Sequence, residues 1–305
     1  MTPGKAARER RLLIVSYCYP PFPAMGSARI ASFVRHLPSF GWKTAVVTIR
    51  PGRLAPFQLP ESPDENPEQV CRTPTLDVSR LFRALAGGRL QGNNVSRAQA
   101  GSQGGLRRLA LTLYDRFLAF PDSAWPWYFL GRRRALAFAR DFRPDLILSS
   151  SPPETAHVLG DFLRRRLGVP WVPDFRDPWS QTPWKDITPG GRAAARSLEL
   201  KVISGAAALC AVSEPIAEAL SRLHGKSAFS VTNGFEPGPP PVPPPPVPFR
   251  LLYTGMVYPG RREPGVIFDA VRRLRLEGTA DPGGLRLVFY GPHPQITRRL
   301  AAARG

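Results

Sequence analysis

The stretch from Arg11 to Leu37 constrains the fold most. An apolar run, Leu12 to Tyr17, has the length of a strand, and a turn containing Pro20, Pro21, Pro23 and Gly26 follows it. Ile30, Phe33, Val34 and Leu37 then recur at i, i+3, i+4 and i+7, the spacing of one buried helix face. Strand, glycine-containing turn and helix make the first unit of a doubly wound sheet. Gly26 and Ser27 fall at the helix N-terminus, where free N–H groups and the helix dipole favour an anion. A Gly26 that serves only the turn accounts for the same residues. Without GxGxxG, nothing here specifies a dinucleotide.

The β/α alternation continues along the chain. Lys43 to Ile49 reads as a second strand, and its short crossover implies parallel pairing. Residues 51–104, rich in Pro, Gly, Ser, Asn and Gln, read largely as a mobile loop. Leu106 to Phe120 is amphipathic. Beyond it, Trp125, Trp127, Tyr128 and Phe129 stand beside Arg132, Arg133 and Arg134. That pairing suits a membrane interface, and equally a core helix with a solvated basic face. Leu146 to Ser150 is a third strand, and Val169 to Phe175 a fourth. Ala156 to Leu167 is the helix between them, with cationic Arg164, Arg165 and Arg166 near its C-terminal end. Ala193 to Ile203 (helix), Ala206 to Val212 (strand), Glu214 to Leu223 (helix, with Ser213 as N-cap) and Ser227 to Thr232 (strand) follow. A proline run, Glu236 to Pro248, reads as a semi-rigid spacer. The pattern then restarts: strand Phe249 to Tyr253, a turn at Gly255, a helix through Ile267, Ala270, Val271 and Leu274, and strand Leu285 to Tyr290.

Composition narrows the function classes. At 305 residues and 43% hydrophobic, the chain has room for about two domains with buried cores. Its net charge of +19 suits nucleic acid, an anionic membrane face or a phosphorylated substrate, and arises equally from a genome-wide arginine bias. Cys18, Cys71 and Cys210 are neither a disulfide framework nor spaced as metal ligands. No signal peptide and no run of about 20 apolar residues is evident, so a cytoplasmic protein is expected.

Six segments in order, YPPFPAMGSAR, PDLILSSSPP, DFRDPW, CAVSEPIAEAL, VTNGFEP and YTGMVYPGRREP, resemble the family 4 glycosyltransferases. These are retaining enzymes of the two-Rossmann GT-B fold. The resemblance implies an α/β chain of GT-B type: a doubly wound Rossmann-like domain over 1–235, a linker over 236–248 and a truncated second Rossmann-like domain over 249–305. It implies sugar transfer from a nucleotide-diphosphate donor to a glycan or lipid-linked acceptor, in bacterial polysaccharide or envelope synthesis. A lipid-linked acceptor would bring Trp125 to Arg134 to the inner face of the membrane. No cofactor and no metal are expected, because cations meet the charge of the departing diphosphate.

The residue roles follow from the same resemblance. The Gly26 and Ser27 amides face a phosphate or sugar, and Arg29 one turn on adds charge there or is a solvated helix residue. Asp174, Arg176 and Asp177 position sugar hydroxyls, or form an internal ion pair. Asn233-Gly234 is the hinge turn, where glycine permits positive φ. The Gly255 loop approaches the donor diphosphate, which Arg261 and Arg262 bind, a solvated basic turn being the alternative for these two. Two departures stand out. Ser149-Ser150-Ser151-Pro152-Pro153 occupies the place where many relatives carry a histidine, and His157 further on reads as structural, so the catalytic residue is unknown. The family's later ExxxxxxxE motif is not found, and the chain past Arg250 is shorter than the ~100–150 residues of a typical domain. The competing expectation is therefore a truncated, non-catalytic module that binds an acceptor or a membrane surface. Nucleic-acid signatures are absent, and no nucleic-acid partner is expected.

Overall fold

The computed structural model describes residues 9–22, 24–51, 69–76, 120–182, 188–235, 238, 248–255, 257, 263–279, 284–291 and 294–304. Most of the expected loop 51–104, the amphipathic stretch 106–119, most of the proline linker and both Arg261 and Arg262 lie outside the described residues. The chain separates into two compact units, Met1–Phe235 and Glu236–Gly305.

In the first unit the elements are β1 (Arg10–Ser16), α1 (Met25–His36), a 3-10 turn (Leu37–Phe40), β2 (Trp42–Ile49), β3 (Val70–Thr73), α2 (Trp125–Phe142), β4 (Leu146–Ser151), α3 (Thr155–Leu167), β5 (Trp171–Phe175), α4 (Pro189–Ile203), β6 (Leu209–Ala211), α5 (Glu214–His224) and β7 (Ala228–Ser230). The seven strands form one sheet in the order β3-β2-β1-β4-β5-β6-β7. Every pair is parallel. The order reverses between β1 and β4, and in such sheets ligands bind in the crevice at the strand C-termini there.

Alternation along β1 shows why helices cover both faces. Leu13, Val15 and Tyr17 point into one cluster with Trp127, Trp171 and Phe175, whereas Leu12 and Ile14 point into the other with Ile30 and Val46. Both sets are buried, so the strand reads as a continuous apolar run. The α1 face expected from Ile30, Phe33, Val34 and Leu37 packs in the second cluster.

Two readings need correction. Within 51–104, residues Val70–Thr73 form edge strand β3 and pair with Val46 to Ile49 of β2. Its four residues include Arg72, so no apolar run marked it. Ser213 does occupy the N-cap of α5, but its side chain makes no capping bond.

The second unit holds β8 (Phe249–Thr254), α6 (Gly265–Leu276), β9 (Leu285–Tyr290) and α7 (Pro294–Ala302), with β8 and β9 parallel. No residue of either strand is buried. Phe268, Tyr253 and Phe289 make its aromatic contacts, with ring centroids 5.5 and 5.7 Å from Phe289. The fold class is the expected α/β one: a doubly wound Rossmann-like unit and a small second Rossmann-like unit.

Candidate active site

The crevice between β1 and β4 gathers three of the expected segments: the start of α1, the end of β4 and the turn after β5. Gly26 and Ser27 are buried in the first turn of α1. No side chain caps this helix, its first turn holds no acidic residue, and its N-cap is Ala24. Ser27 Oγ is buried without a hydrogen-bond partner.

Arg176 crosses the crevice from the turn after β5. Its Nε donates to the Ser151 carbonyl at 2.8 Å, and Nη2 donates to the Pro152 carbonyl. A Cβ built on Gly26 would coincide with the guanidinium, so glycine is required for this close approach. Burial, with a further push from Arg29, lowers the Arg176 pKa, while Cys18, Asp174 and Asp177 oppose the shift. A cation therefore rests on the positive end of a helix that carries no acidic cap. An anion or a strongly polar ligand oxygen relieves that arrangement.

The DFRD segment divides its side chains. Asp174, fully buried, holds Arg29 with both oxygens (Nε 3.0 Å, Nη2 2.8 Å) and also accepts from Ser150 Oγ at 2.8 Å. Arg29, expected to face a ligand, is 6% exposed and engages Asp174 and Asn233 instead. Of the two roles open to Asp174 in the sequence, the geometry is that of the internal ion pair. Asp177 is exposed. The ion pair joins residues 145 positions apart, beyond the reach of any local pattern. Gly234 takes no positive φ, although a glycine permits one. In the second unit Gly255 does (φ 140°), and its carbonyl packs against the backbone of Gly291. Among the described residues no group of three His, Cys, Asp or Glu side chains is placed to hold a metal ion.

Residues 26–232, which run from α1 through β7 and leave out only β1 of the sheet, match the glycosyl transferase 4-like domain family. The chain belongs to that family. Membership places it among the glycosyltransferases, with a fold of GT-B type. No curated protein sequence matches it. Solved structures similar to it are distant. The glycosyltransferase SsfS6 of Streptomyces sp. SF2575 shares 15% identity at a TM-score of 0.42, covering 92% of this chain and 68% of that one. SnogD from Streptomyces nogalater shares 18% at 0.43 (93% and 73%), and Anabaena HepE, solved with UDP and glucose, 12% at 0.47 (97% and 65%).

The glycosyltransferase domain also holds a half-buried carboxylate that the sequence did not signal. Asp122, ahead of α2, accepts from the Thr155 N–H (2.7 Å) and hydroxyl (2.8 Å) and so caps α3 from another element. Burial and the neighbouring Glu154 carboxylate push the Asp122 pKa from 3.8 up to about 7, against its bonds to Thr155 and Ala124. His157, one turn into α3, has Nδ1 2.7 Å from Ser149 Oγ, which also accepts from the Trp171 indole at 2.8 Å. Its Nε2 is buried without a partner, and burial drops its pKa from 6.5 to about 3. His157 is thus neutral at physiological pH and packs on Phe175 at 4.6 Å.

The two shifts act oppositely on stability. The unfolded chain protonates His157 near 6.5 and the folded chain only near 3, so that contribution is complete above 6.5 and is lost as pH falls toward 3. The Asp122 contribution is complete below 3.8 and is lost as pH rises toward 7. Each changes by up to about 1.4 kcal/mol per pH unit. In the wild type they offset one another between 3.8 and 6.5. Asp122→Asn is expected to make stability fall steadily as pH drops below 6.5, and His157→Gln to make it fall as pH rises from 4 to 7. Urea unfolding at pH 4, 5.5 and 7 checks both; profiles parallel to wild type would refute the assignment.

Proposed function

We propose that this glycosyltransferase moves a sugar, with retention, from a nucleotide-diphosphate donor to a glycan or lipid-linked acceptor in bacterial polysaccharide or envelope synthesis. The observation that supports a ligand at the β1/β4 crevice is a guanidinium set against a helix start whose first turn holds no acidic residue. An uncapped helix start, the unpartnered Ser27 hydroxyl and the Arg176 guanidinium converge with no acidic partner in the first turn of α1. Phosphate oxygens or sugar hydroxyls fit that environment. Gly255, Arg261 and Arg262 are proposed to face the donor diphosphate and to meet the leaving-group charge without a metal. The direct test is release of nucleoside diphosphate from a panel of nucleotide sugars, with membranes as the acceptor source. Turnover abolished by Arg176→Ala supports the reading, and no turnover with any donor counts against it.

The acceptor is proposed to be lipid-linked, and the protein to act at the cytoplasmic face of a membrane. Within Trp125 to Arg134, Trp127 is core and bonds Thr73 at 2.7 Å, but Phe129 and Leu130 are 56% and 49% exposed. Arg133 and Arg134 are exposed beside them, and Arg132 stacks on Tyr128 and Phe129 at 5.2 and 5.5 Å. No helix among the described residues is long and apolar enough to cross a membrane. Near an anionic surface each basic residue contributes about 1 kcal/mol. Replacing Arg132, Arg133 and Arg134 together by Ala is therefore expected to weaken binding to phosphatidylglycerol vesicles on the order of 100-fold. Unchanged co-sedimentation argues against the contact.

A further inference from the structure

Arg29 lies two residues beyond Ser27 in α1, yet its guanidinium serves the far end of the unit. While Nε and Nη2 are held by Asp174, Nη1 donates to Asn233 Oδ1 at 3.0 Å and to the Thr232 carbonyl at 3.3 Å. The Phe33 ring lies 4.8 Å from the guanidinium carbon. Thr232 and Asn233 belong to the exposed coil 231–235, which ends the first unit. Just upstream, the Val231 N–H is bonded to the Ala211 carbonyl at 2.7 Å.

We propose that Arg29 is a positioning residue: held rigid by Asp174, it fixes the direction in which the chain leaves the first unit at Asn233-Gly234. The planar fork suits this task, because one guanidinium grips the carboxylate with one edge and the coil with the remaining amino group. A lysine ammonium, a single point charge on a flexible stem, does not hold both in the same geometry. The importance of this anchor for sugar transfer rests on the function proposed above, since a few hinge residues set how the parts of a two-unit enzyme approach each other.

The test uses the full chain. Asn233→Ala deletes the Oδ1 acceptor and keeps the Arg29–Asp174 pair. We expect amide exchange at Val231 and Thr232, and chymotryptic cleavage after the exposed Phe235, each to accelerate about five- to tenfold, with the unfolding midpoint of the first unit unchanged. Arg29→Lys is expected to give the same local acceleration. Unchanged exchange and cleavage in Asn233→Ala overturn the proposal, and so does acceleration spread evenly over the sheet, which marks global destabilisation. Turnover is read on the same samples, where a lower kcat at unchanged donor KM is expected. Absence of turnover in the wild type overturns the proposed function alone, and exchange still decides the anchor.

Discussion

Asp174→Ala is expected to lower the folding free energy by about 3–5 kcal/mol, the cost of leaving one partner of a buried ion pair behind. The Arg29 and Asp174 side chains are 2% and 0% exposed, so water cannot replace the lost carboxylate at the guanidinium. The Ser150 hydroxyl loses its acceptor at the same time. Asp174→Asn is expected to cost less, because it keeps an acceptor for one of those donors while removing the charge. The double variant Arg29→Met, Asp174→Leu is expected to recover much of the loss, since apolar replacement of a whole buried pair is often neutral. Urea unfolding of the four proteins measures this. A loss below about 1 kcal/mol for Asp174→Ala would show that the pair is solvated rather than sealed.

Arg176→Ala and Gly26→Ala are expected to weaken ligand capture at the crevice by similar factors, about 10- to 100-fold, the worth of one charge-assisted hydrogen bond. They reach that result by different routes. The first removes the guanidinium. The second places a methyl group where the guanidinium sits, and because the colliding atoms are the far end of a flexible side chain, Arg176 moves rather than the backbone. Gly26→Ala is therefore expected to cost little stability while losing ligand. Combining the two is expected to be no worse than either alone, since both remove one interaction. Additive losses in titration calorimetry would mean that Gly26 and Arg176 act on the ligand separately.

Most strands were legible in the sequence: β1, β2, β4, β5, β7, β8 and β9 all fall within a residue or two of their expected limits. The Val70–Thr73 strand was not legible. Its short edge segment sits in a proline-rich region and gains its identity only by pairing with β2. The aromatic–arginine stretch after Asp122 was read as a choice between membrane and core, and its side chains divide between the core and the surface. Trp127 turns inward and Phe129 outward, a rotation that composition does not reveal. At the site, chemistry could be read but direction could not. The DFRD segment announced two carboxylates and a guanidinium, yet the turn after β5 sends Asp174 inward to Arg29, Arg176 across to Gly26 and Asp177 to solvent. Asp122 was invisible because its partners, Thr155 and Glu154, are brought to it by packing of α2 on α3.

The most direct measurement is a titration of the 15N-labelled full chain with nucleotide-diphosphate sugars, following the Gly26 and Ser27 amides. Saturable shifts at these two amides, lost in Arg176→Ala while the remaining spectrum keeps its dispersion, are the predicted result. Shifts confined to residues away from the β1/β4 crevice, or equally strong in Arg176→Ala, would contradict it.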